Sequence, residues 1–386
     1  MRIGRNYLVS TYFCQVYLIP KFNLTHPLMT STLLEDLELI ESNLSIIPDT
    51  KKYWLVRTQS GNLYNPFKNN GLISIEHGYF AKRSLEEIWS NTPSEEKFLR
   101  RAVKELLTRR FDLDSVGLIA GQISRFAFEV KKDDIVIIPS SGTDEVTIGV
   151  VKSDLIETPE LAQRVFQEAT DVPSGINSNY RLSRKVRWMR EIRKRHIDPY
   201  MYKMLQAHQA ISNVTAYGDI IERSVKSFFA RDNEASVVLS VEQEGEISAK
   251  DLFALGHYLM QSVDGIITAY DLPFTTDHVD IKINLNSPGR IQLTSRNIKL
   301  ALLVAVVVAS FGIVLFGGGL KIKFQDFDLD LSTDGAVQKI IDYKNNAQDR
   351  EIKDRLVRSL DSLKVMPPED ALQLLKQFST NKDNPK

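Results

Sequence analysis

The chain has 386 residues with 49 basic and 49 acidic side chains, so its formal charge at pH 7 is zero. This length supports two or three domains with apolar cores, and 43% hydrophobic with 25% charged residues excludes a disordered, collagen-like or strongly charged chain. The single cysteine, Cys14, cannot form an internal disulfide, which is typical of a reducing compartment such as the cytoplasm.

Helical and strand patterns alternate along the first part of the chain. Apolar side chains at helical spacing predict helices, and short apolar or alternating runs between turn residues predict strands. By these criteria we expect a helix at 31–44, strands at 53–56 and 71–75, helices at 94–109 and 115–126, strands at 134–139, 146–152 and 185–192, and a helical stretch at 199–230. The pattern resets at residues 232 to 234, which predicts a domain boundary there.

Residues 233 to 297 are predicted to form a small βαββ unit. Val237 to Val241 is an apolar strand, and Ser248 followed by Asp251 is typical of a helix N-cap. The run from 279 to 285 alternates between apolar and polar side chains and leads through a turn into a strand at 291–293.

The run from Leu300 to Leu320 contains 21 residues without a charge, and its only polar side chain is Ser310. At about 1.5 Å per residue it can cross a hydrocarbon core of about 30 Å, so we expect a transmembrane helix at 298–320. Basic residues are more frequent before this run than after it, which favours a cytoplasmic N-terminal side. The alternative is a core helix buried inside a larger domain.

This prediction describes a single-pass protein of the cell inner membrane, with the lipid bilayer as a partner. The small residues Ala309 and Gly312 predict a homo-oligomer that forms through the helix. Residues 321 to 386 are predicted to form a strand and a short helical region, with Ile352 and Leu356 on one helix face.

Several short motifs follow one another from Trp54 to about Val225. They are Tyr53-Trp54-Leu55-Val56-Arg57, Gly61, Phe67, Gly71-Leu72-Ile73-Ser74-Ile75, Gly121-Gln122-Ile123-Ser124-Arg125-Phe126, Glu129-Val130-Lys131-Lys132-Asp133-Asp134-Ile135-Val136, Gly149-Val150-Val151 and Val186-Arg187-Trp188. In order and spacing they resemble the PUA-like, EVE-related module at the N-termini of Mrr-type, modification-dependent restriction endonucleases. The chain departs from that module at residues 76–79, where the family commonly has Gly-Trp, and at 133–134, where it commonly has Gly-Asp.

The resemblance implies a small β-barrel whose pocket accepts a modified or flipped nucleobase. Such a pocket needs aromatic planes for stacking and polar groups that read the edge of the base. The candidate planes are Trp54, Phe126 and Trp188, and the candidate donors are Arg57, Arg125, Ser140 and Ser141. The alternative is that these aromatic rings fill the core of the barrel.

A basic run between residues 181 and 195 is a candidate phosphate-binding surface. Clustered cations bind nucleic acid because each neutralised phosphate releases counterions. The candidates are Arg181, Arg184, Lys185, Arg187, Arg190, Arg193, Lys194 and Arg195. The alternative is a charged strand face that only contacts solvent.

No catalytic role, cofactor or metal is expected. Glu129 and Lys131 with Asp112 or Asp114 imitate a nuclease pattern in which carboxylates hold a metal ion, but the same residues fit the module described above. The histidines lie far apart in the sequence, and no phosphate-binding glycine motif occurs.

The expected fold class is α+β, divided as follows: an N-terminal extension at 1–50, a PUA-like β-barrel with flanking helices at 51–232, the βαββ unit at 233–297, the transmembrane helix at 298–320, and a strand plus helices at 321–386. The expected function is that of a membrane-anchored sensor of nucleic acid or a modified nucleobase, as in prokaryotic anti-phage effectors. The alternatives are a non-catalytic subunit of a restriction-type complex, with the apolar helix buried against a partner, and a metal-dependent nuclease.

Overall fold

A computed structural model describes residues 30–157, 180–231, 233–284, 289–315, 321–324, 327–330 and 350–373; Cys14 lies outside them. The described helices are α1 (Thr30–Ser42), α2 (Tyr64–Asn70), α3 (Lys82–Asn91), α4 (Glu96–Arg110), α5 (Val116–Ser124), α6 (Pro199–Leu205), α7 (Gly218–Val225), α8 (Ala249–Ala269), α9 (Ile298–Leu315) and α10 (Arg350–Ser362). The strands are β1 (Ile46–Ile47), β2 (Tyr53–Val56), β3 (Leu72–Ser74), β4 (Ile135–Pro139), β5 (Glu145–Val151), β6 (Ile156–Glu157), β7 (Leu182–Arg193), β8 (Ile211–Asn213), β9 (Phe228–Arg231), β10 (Glu234–Val241), β11 (Asp280–Asn284), β12 (Gly289–Ser295), β13 (Lys321–Phe324), β14 (Phe327–Asp330) and β15 (Val365–Met366).

The chain has an α+β fold, and its first sheet curls into a half-barrel. The strand order is β3-β7-β5-β4-β2-β8, with β6 also paired to β7, and β2 and β4 run parallel. Every residue of β2 and β4 is buried, because helices cover both faces of the sheet at these strands. This explains why both strands are continuous apolar runs without polar alternation.

Successive residues of β2 point to opposite faces of the sheet and enter two separate cores. Trp54 and Val56 pack in the core that contains α3, α4 and α5. Tyr53 and Leu55 pack in the core that contains α6 and α7. The half-barrel is therefore a middle layer between two groups of helices.

The predicted helical stretch at 199–230 is wrong. Asp198 caps α6 by accepting a hydrogen bond from the Tyr200 amide at 2.9 Å, but the chain leaves the helix after Leu205 and returns to the sheet as β8. There Ile211 pairs with Val56. Pairing with the edge of β2 outweighs the helical periodicity, as tertiary contacts commonly outweigh local propensity.

The second sheet has the order β1-β9-β10-β12-β11, and β15 also pairs with β10. The elements of the predicted βαββ unit occur as β10, α8, β11 and β12, and the Ser248 side chain accepts a hydrogen bond from the Asp251 amide at 3.3 Å. The sheet also takes strands from outside residues 233–297, namely β1, β9 and β15. Helices α1, α8, α9 and α10 share one core with this sheet.

The predicted transmembrane helix is wrong, and so is the inner-membrane location derived from it. Within the described ranges, no helix combines the length and the apolarity that a membrane span requires. The apolar run forms α9, whose side chains from Leu300 to Phe311 are each at most 2% exposed. They are covered by β10, β12, α1, α8 and α10. Ala309, expected to face a second copy, lies in the same core.

A helix that is apolar on every side fits either lipid or the centre of a protein core, so hydropathy alone does not separate the two. In α9 the surrounding sheet and helices of the same chain supply the apolar environment. Ser310 is tolerated there because its hydroxyl donates to the Val307 carbonyl at 2.9 Å. The core-helix alternative is therefore the one that the structure contains.

A buried polar network at α7 joins the two sheets. The Arg223 guanidinium forms an ion pair with Asp198 and donates to Gln292 Oε1 at 3.4 Å. Gln292, on β12, donates in turn to Ser236 at 2.9 Å and to Asp219 at 3.3 Å. Because polar groups without water must bond each other, this network fixes how the half-barrel sits on the second sheet.

Candidate nucleic-acid interface

Two of the three aromatic residues predicted to form a pocket lie in the half-barrel core. Trp54 and Phe126 are fully buried. The Trp54 indole donates to Asp134 Oδ2 at 2.9 Å, and the same carboxylate accepts from the amides of Lys52 at 3.1 Å and Lys131 at 2.8 Å. Trp54 thus holds the loop before β4 in place, and neither ring is open to a ligand in this structure.

The third ring, Trp188, is half-buried on β7. Its indole donates to the Phe67 carbonyl at 3.3 Å, and its partner across the strands is Gly149 on β5. A Cβ atom at Gly149 would lie 2.5 Å from Trp188 Cε3 and 2.6 Å from Val186 Cγ1. Only glycine therefore lets the indole lie flat against β5.

We expect Gly149→Ala to lower the free energy of unfolding by about 1–3 kcal/mol, since Trp188 must shift out of an overpacked site. Urea denaturation of the purified chain measures this. The matched control is Gly256→Ala in the middle of α8, where a Cβ meets no atom within 4 Å. That change should stabilise by about 0.5–1 kcal/mol, because alanine favours helix. Equal effects at both sites would contradict the packing of Trp188.

The predicted polar groups of the pocket are dispersed. Arg125 donates to Gln209, and the partly exposed Arg57 is held through its backbone amide. Ser140 Oγ accepts from the Glu145 amide at 2.8 Å in the turn between β4 and β5. Together with Ser141 it lines an open recess that also contains Arg193, Lys194 and Arg195. The structure thus places the serines beside basic residues and apart from the aromatic rings.

Three of the eight predicted phosphate-binding residues already have structural partners. Arg184 is 3% exposed and donates to the carbonyls of Phe126, Ala127 and Ser153. Arg181 is paired with Glu157, and Lys194 Nζ lies 3.7 Å from an Asp144 carboxylate oxygen. Arg184 in particular is held by these carbonyl groups and does not face solvent.

The other five are exposed, and none has an acidic partner within 4 Å among the described residues: Lys185, Arg187, Arg190, Arg193 and Arg195. We call these five residues the basic surface. A β-bulge between Ile148 and Gly149 shifts the register against β7. As a result Arg187 and Arg190 lie opposite Val150 and Ile148, two residues of one core, so both arginines share a sheet face.

The electrostatics of neighbouring groups show that the basic surface has a positive field. Partial burial and the charges of Arg195, Arg190 and Arg193 lower the pKa of His196. Burial and then the charge of Arg190 lower the pKa of Arg290, on β12, to about 10. Glu242 acts in the opposite direction on both groups. The charge of Arg190 is therefore close enough to act on a residue of the second sheet.

A cleft of ≈ 720 Å³ lies beside the half-barrel, between the loop that precedes β2 and the ends of α3 and α5. We call it the lysine cleft; its lining includes Lys51, Lys52, Lys131, Lys132, Lys226, Trp89, Ser124, Phe128 and Glu129. Trp89 was missed because α3 was not predicted. The available signal was a tryptophan in the polar run from Lys82 to Asn91, since tryptophan is enriched at binding surfaces; in the structure Trp89 is 43% exposed.

Glu129 and Lys131 of the imitated nuclease pattern both line the lysine cleft, whereas Asp112 and Asp114 do not. Across the described part of the chain, no group of three or more His, Cys, Asp and Glu side chains is placed to hold a metal ion. Comparison with protein-family models, with curated proteins and with solved structures gave no significant match for this chain.

Proposed function

We propose that this protein binds nucleic acid through the basic surface, in a role that needs no catalysis. The observation that carries the proposal is the exposure of five cationic side chains on one strand and the turn after it, each without an acidic partner among the described residues. Surface cations of folded proteins commonly pair with nearby carboxylates, as Lys68 of α2 pairs with Glu191 of β7 at 2.9 Å. Unpaired ones remain free to contact phosphate.

The arrangement fits a phosphate backbone better than a small anion. The residues extend along β7 and the turn after it, and Arg193 lies on the sheet face opposite to that of Arg187 and Arg190, so they do not converge on a point. Arginine suits this role because its planar guanidinium binds phosphate oxygens with two parallel hydrogen bonds. The similarity of residues 54 to 225 to PUA-like modules points in the same direction.

Phosphate contacts of this kind give affinity that depends strongly on salt and weakly on base sequence. We therefore expect Arg187→Ala combined with Arg190→Ala to reduce the slope of log affinity against log salt by about 2, or about 1 per lost contact. The measurement is fluorescence anisotropy of the full chain with labelled DNA and RNA oligonucleotides, between about 50 and 200 mM salt.

The matched control removes the same charge elsewhere. Arg83 and Arg101 are exposed on α3 and α4 and pair with Glu87 and Glu105 one helical turn away. Their double alanine variant should retain the slope of the unmodified chain. Equal slopes for the two double variants, or no binding of either oligonucleotide by the unmodified chain at low salt, would contradict the proposal.

A further inference from the structure

The lysine cleft contains polar atoms that lack partners. The hydroxyl of Ser124, a residue 1% exposed, has no hydrogen-bond partner, and neither has Glu129 Oε1. Buried polar groups are nearly always hydrogen-bonded, and each exception requires a reason. Both residues line the same cleft, so a ligand there would satisfy them.

Ser124 is the last residue of α5, and Glu129 is the last residue of a π-helix, Arg125–Glu129, which continues α5. A π-helix is rare and is frequently found at functional sites. Here it places Phe128 and Glu129 side by side at the edge of the cleft. Burial, with the negative charge of Glu96 in addition, raises the pKa of Glu129 against the opposing charges of Lys52 and Arg125. Glu129 Oε2 lies 3.6 Å from Lys52 Nζ, so Oε1 is the oxygen that remains to accept a hydrogen bond from a ligand.

An aromatic platform lies next to these atoms. The ring centroids of Trp89 and Phe128 are 5.6 Å apart, and the planes are inclined by 26°. Lys131 Nζ lies 4.9 Å from the Trp89 ring centroid and has no carboxylate within 4 Å in the described part of the chain. A planar ligand can take the place of the Lys131 ammonium group over the Trp89 indole. The displaced ammonium group is then free to pair with an anion.

Two further lysines at the cleft are only partly neutralised. Lys51 and Lys226 each lie 3.1 Å from the fully buried carboxylate of Glu222, so two ammonium groups share one negative charge. The Tyr53 hydroxyl also donates to Glu222, at 2.5 Å. This carboxylate fixes both lysines at the wall of the cleft. The lining also carries the carboxylates of Glu96, Glu129, Asp133 and Asp134, so an anion would bind at Lys131 and not to a general excess of positive charge.

We propose that the lysine cleft binds a nucleotide, with the base stacked on Trp89, its edge read by Glu129 and Ser124, and its phosphate held by Lys131. A nucleotide is the class of ligand that combines a flat heteroaromatic ring, polar atoms on the ring edge and an anion. This assignment rests on the proposed function for its ligand class but uses a different surface. Free nucleotides and nucleotides within a strand share this chemistry.

The test titrates the full chain with each of the four ribonucleoside monophosphates and with pyrophosphate, and measures binding by calorimetry. We expect nucleotide binding that Trp89→Ala weakens about tenfold or more, since a stacked base contributes at this level. We expect Glu129→Gln to change the preference among the bases. Binding of pyrophosphate should not depend on Trp89.

The matched control is Phe98→Ala on α4. Phe98 is also an exposed aromatic residue beneath a lysine, with Lys97 Nζ 4.7 Å from its ring centroid, but it does not line the cleft. The Phe98→Ala variant should bind nucleotides with an affinity within about twofold of that of the unmodified chain, because Phe98 provides no stacking surface at the site. Circular dichroism of all variants separates loss of binding from loss of fold.

Failure of this assignment can be distinguished from failure of the proposed function. If monophosphates do not bind and oligonucleotides bind independently of Trp89, or if Trp89→Ala binds monophosphates as tightly as the unmodified chain, the nucleotide assignment is overturned and the basic surface stands. If monophosphates bind through Trp89 while the Arg187 and Arg190 variants leave oligonucleotide binding unchanged, the cleft stands and the proposed interface is overturned. Tighter binding of an oligonucleotide that Trp89→Ala abolishes would identify a base within a strand as the ligand.

Discussion

Val307→Asp in α9 is expected to unfold the second sheet together with the helices packed on it. Val307 is fully buried in the core that α9 shares with β10, β12 and the neighbouring helices. An unpaired carboxylate at this position loses its hydration without gaining a partner, which costs several kcal/mol. We expect a loss of about 5 kcal/mol, comparable with the whole stability of a domain.

Thermal unfolding and limited proteolysis of the purified chain measure this loss. The matched control is Phe253→Asp on α8, where the side chain is 72% exposed. The control should change the free energy of unfolding by less than about 0.5 kcal/mol. If both variants unfold like the unmodified chain, the environment of α9 is not the core described above.

Arg223→Met is expected to cost about 3–5 kcal/mol, because it leaves the buried Asp198 carboxylate without its ion-pair partner. Methionine retains most of the apolar part of the arginine side chain, so the effect reports the lost charge. Gln292 also loses a hydrogen bond, which loosens the contact between α7 and β12. Chemical denaturation should therefore become less cooperative and separate into two transitions, one for each sheet.

A second variant, Asp198→Asn, tests whether the unpaired charge causes the loss of stability. Asp198→Asn retains the oxygen that caps α6 but removes the charge, so the double variant with Arg223→Met should recover part of the lost stability. A double variant that is no more stable than Arg223→Met alone would show that the buried charge is not the cause. A single transition in every variant would contradict the role of Arg223 in joining the sheets.

Local patterns predicted many elements of the fold correctly. The apolar spacing at 94–109 corresponds to α4, and the run at 134–139 corresponds to β4. The basic run was read correctly as a strand, β7. In each of these elements the apolar residues recur at the spacing of a helix or a strand and form the buried face. The periodicity of apolar residues is therefore sufficient to find them.

The candidate sites depended on contacts that no local pattern contains. Alternation along β7 places Arg184 and Arg187 on opposite faces of the strand, but only the packing decides that Arg184 is buried against carbonyl groups and Arg187 is exposed. The bulge beside Gly149, which places Arg187 and Arg190 on one face, arises from pairing between β5 and β7. Trp89 and Glu129 are 40 positions apart and meet only because α3 packs beside the π-helix.

The sequence by itself determined the α+β composition, the positions of many helices and strands, and the existence of one helix that is apolar on every side. The tertiary structure alone decided what surrounds that helix. Hydropathy measures only that a segment avoids water, and lipid and a protein core satisfy this equally. In α9 the second sheet and three helices of the same chain provide the apolar environment.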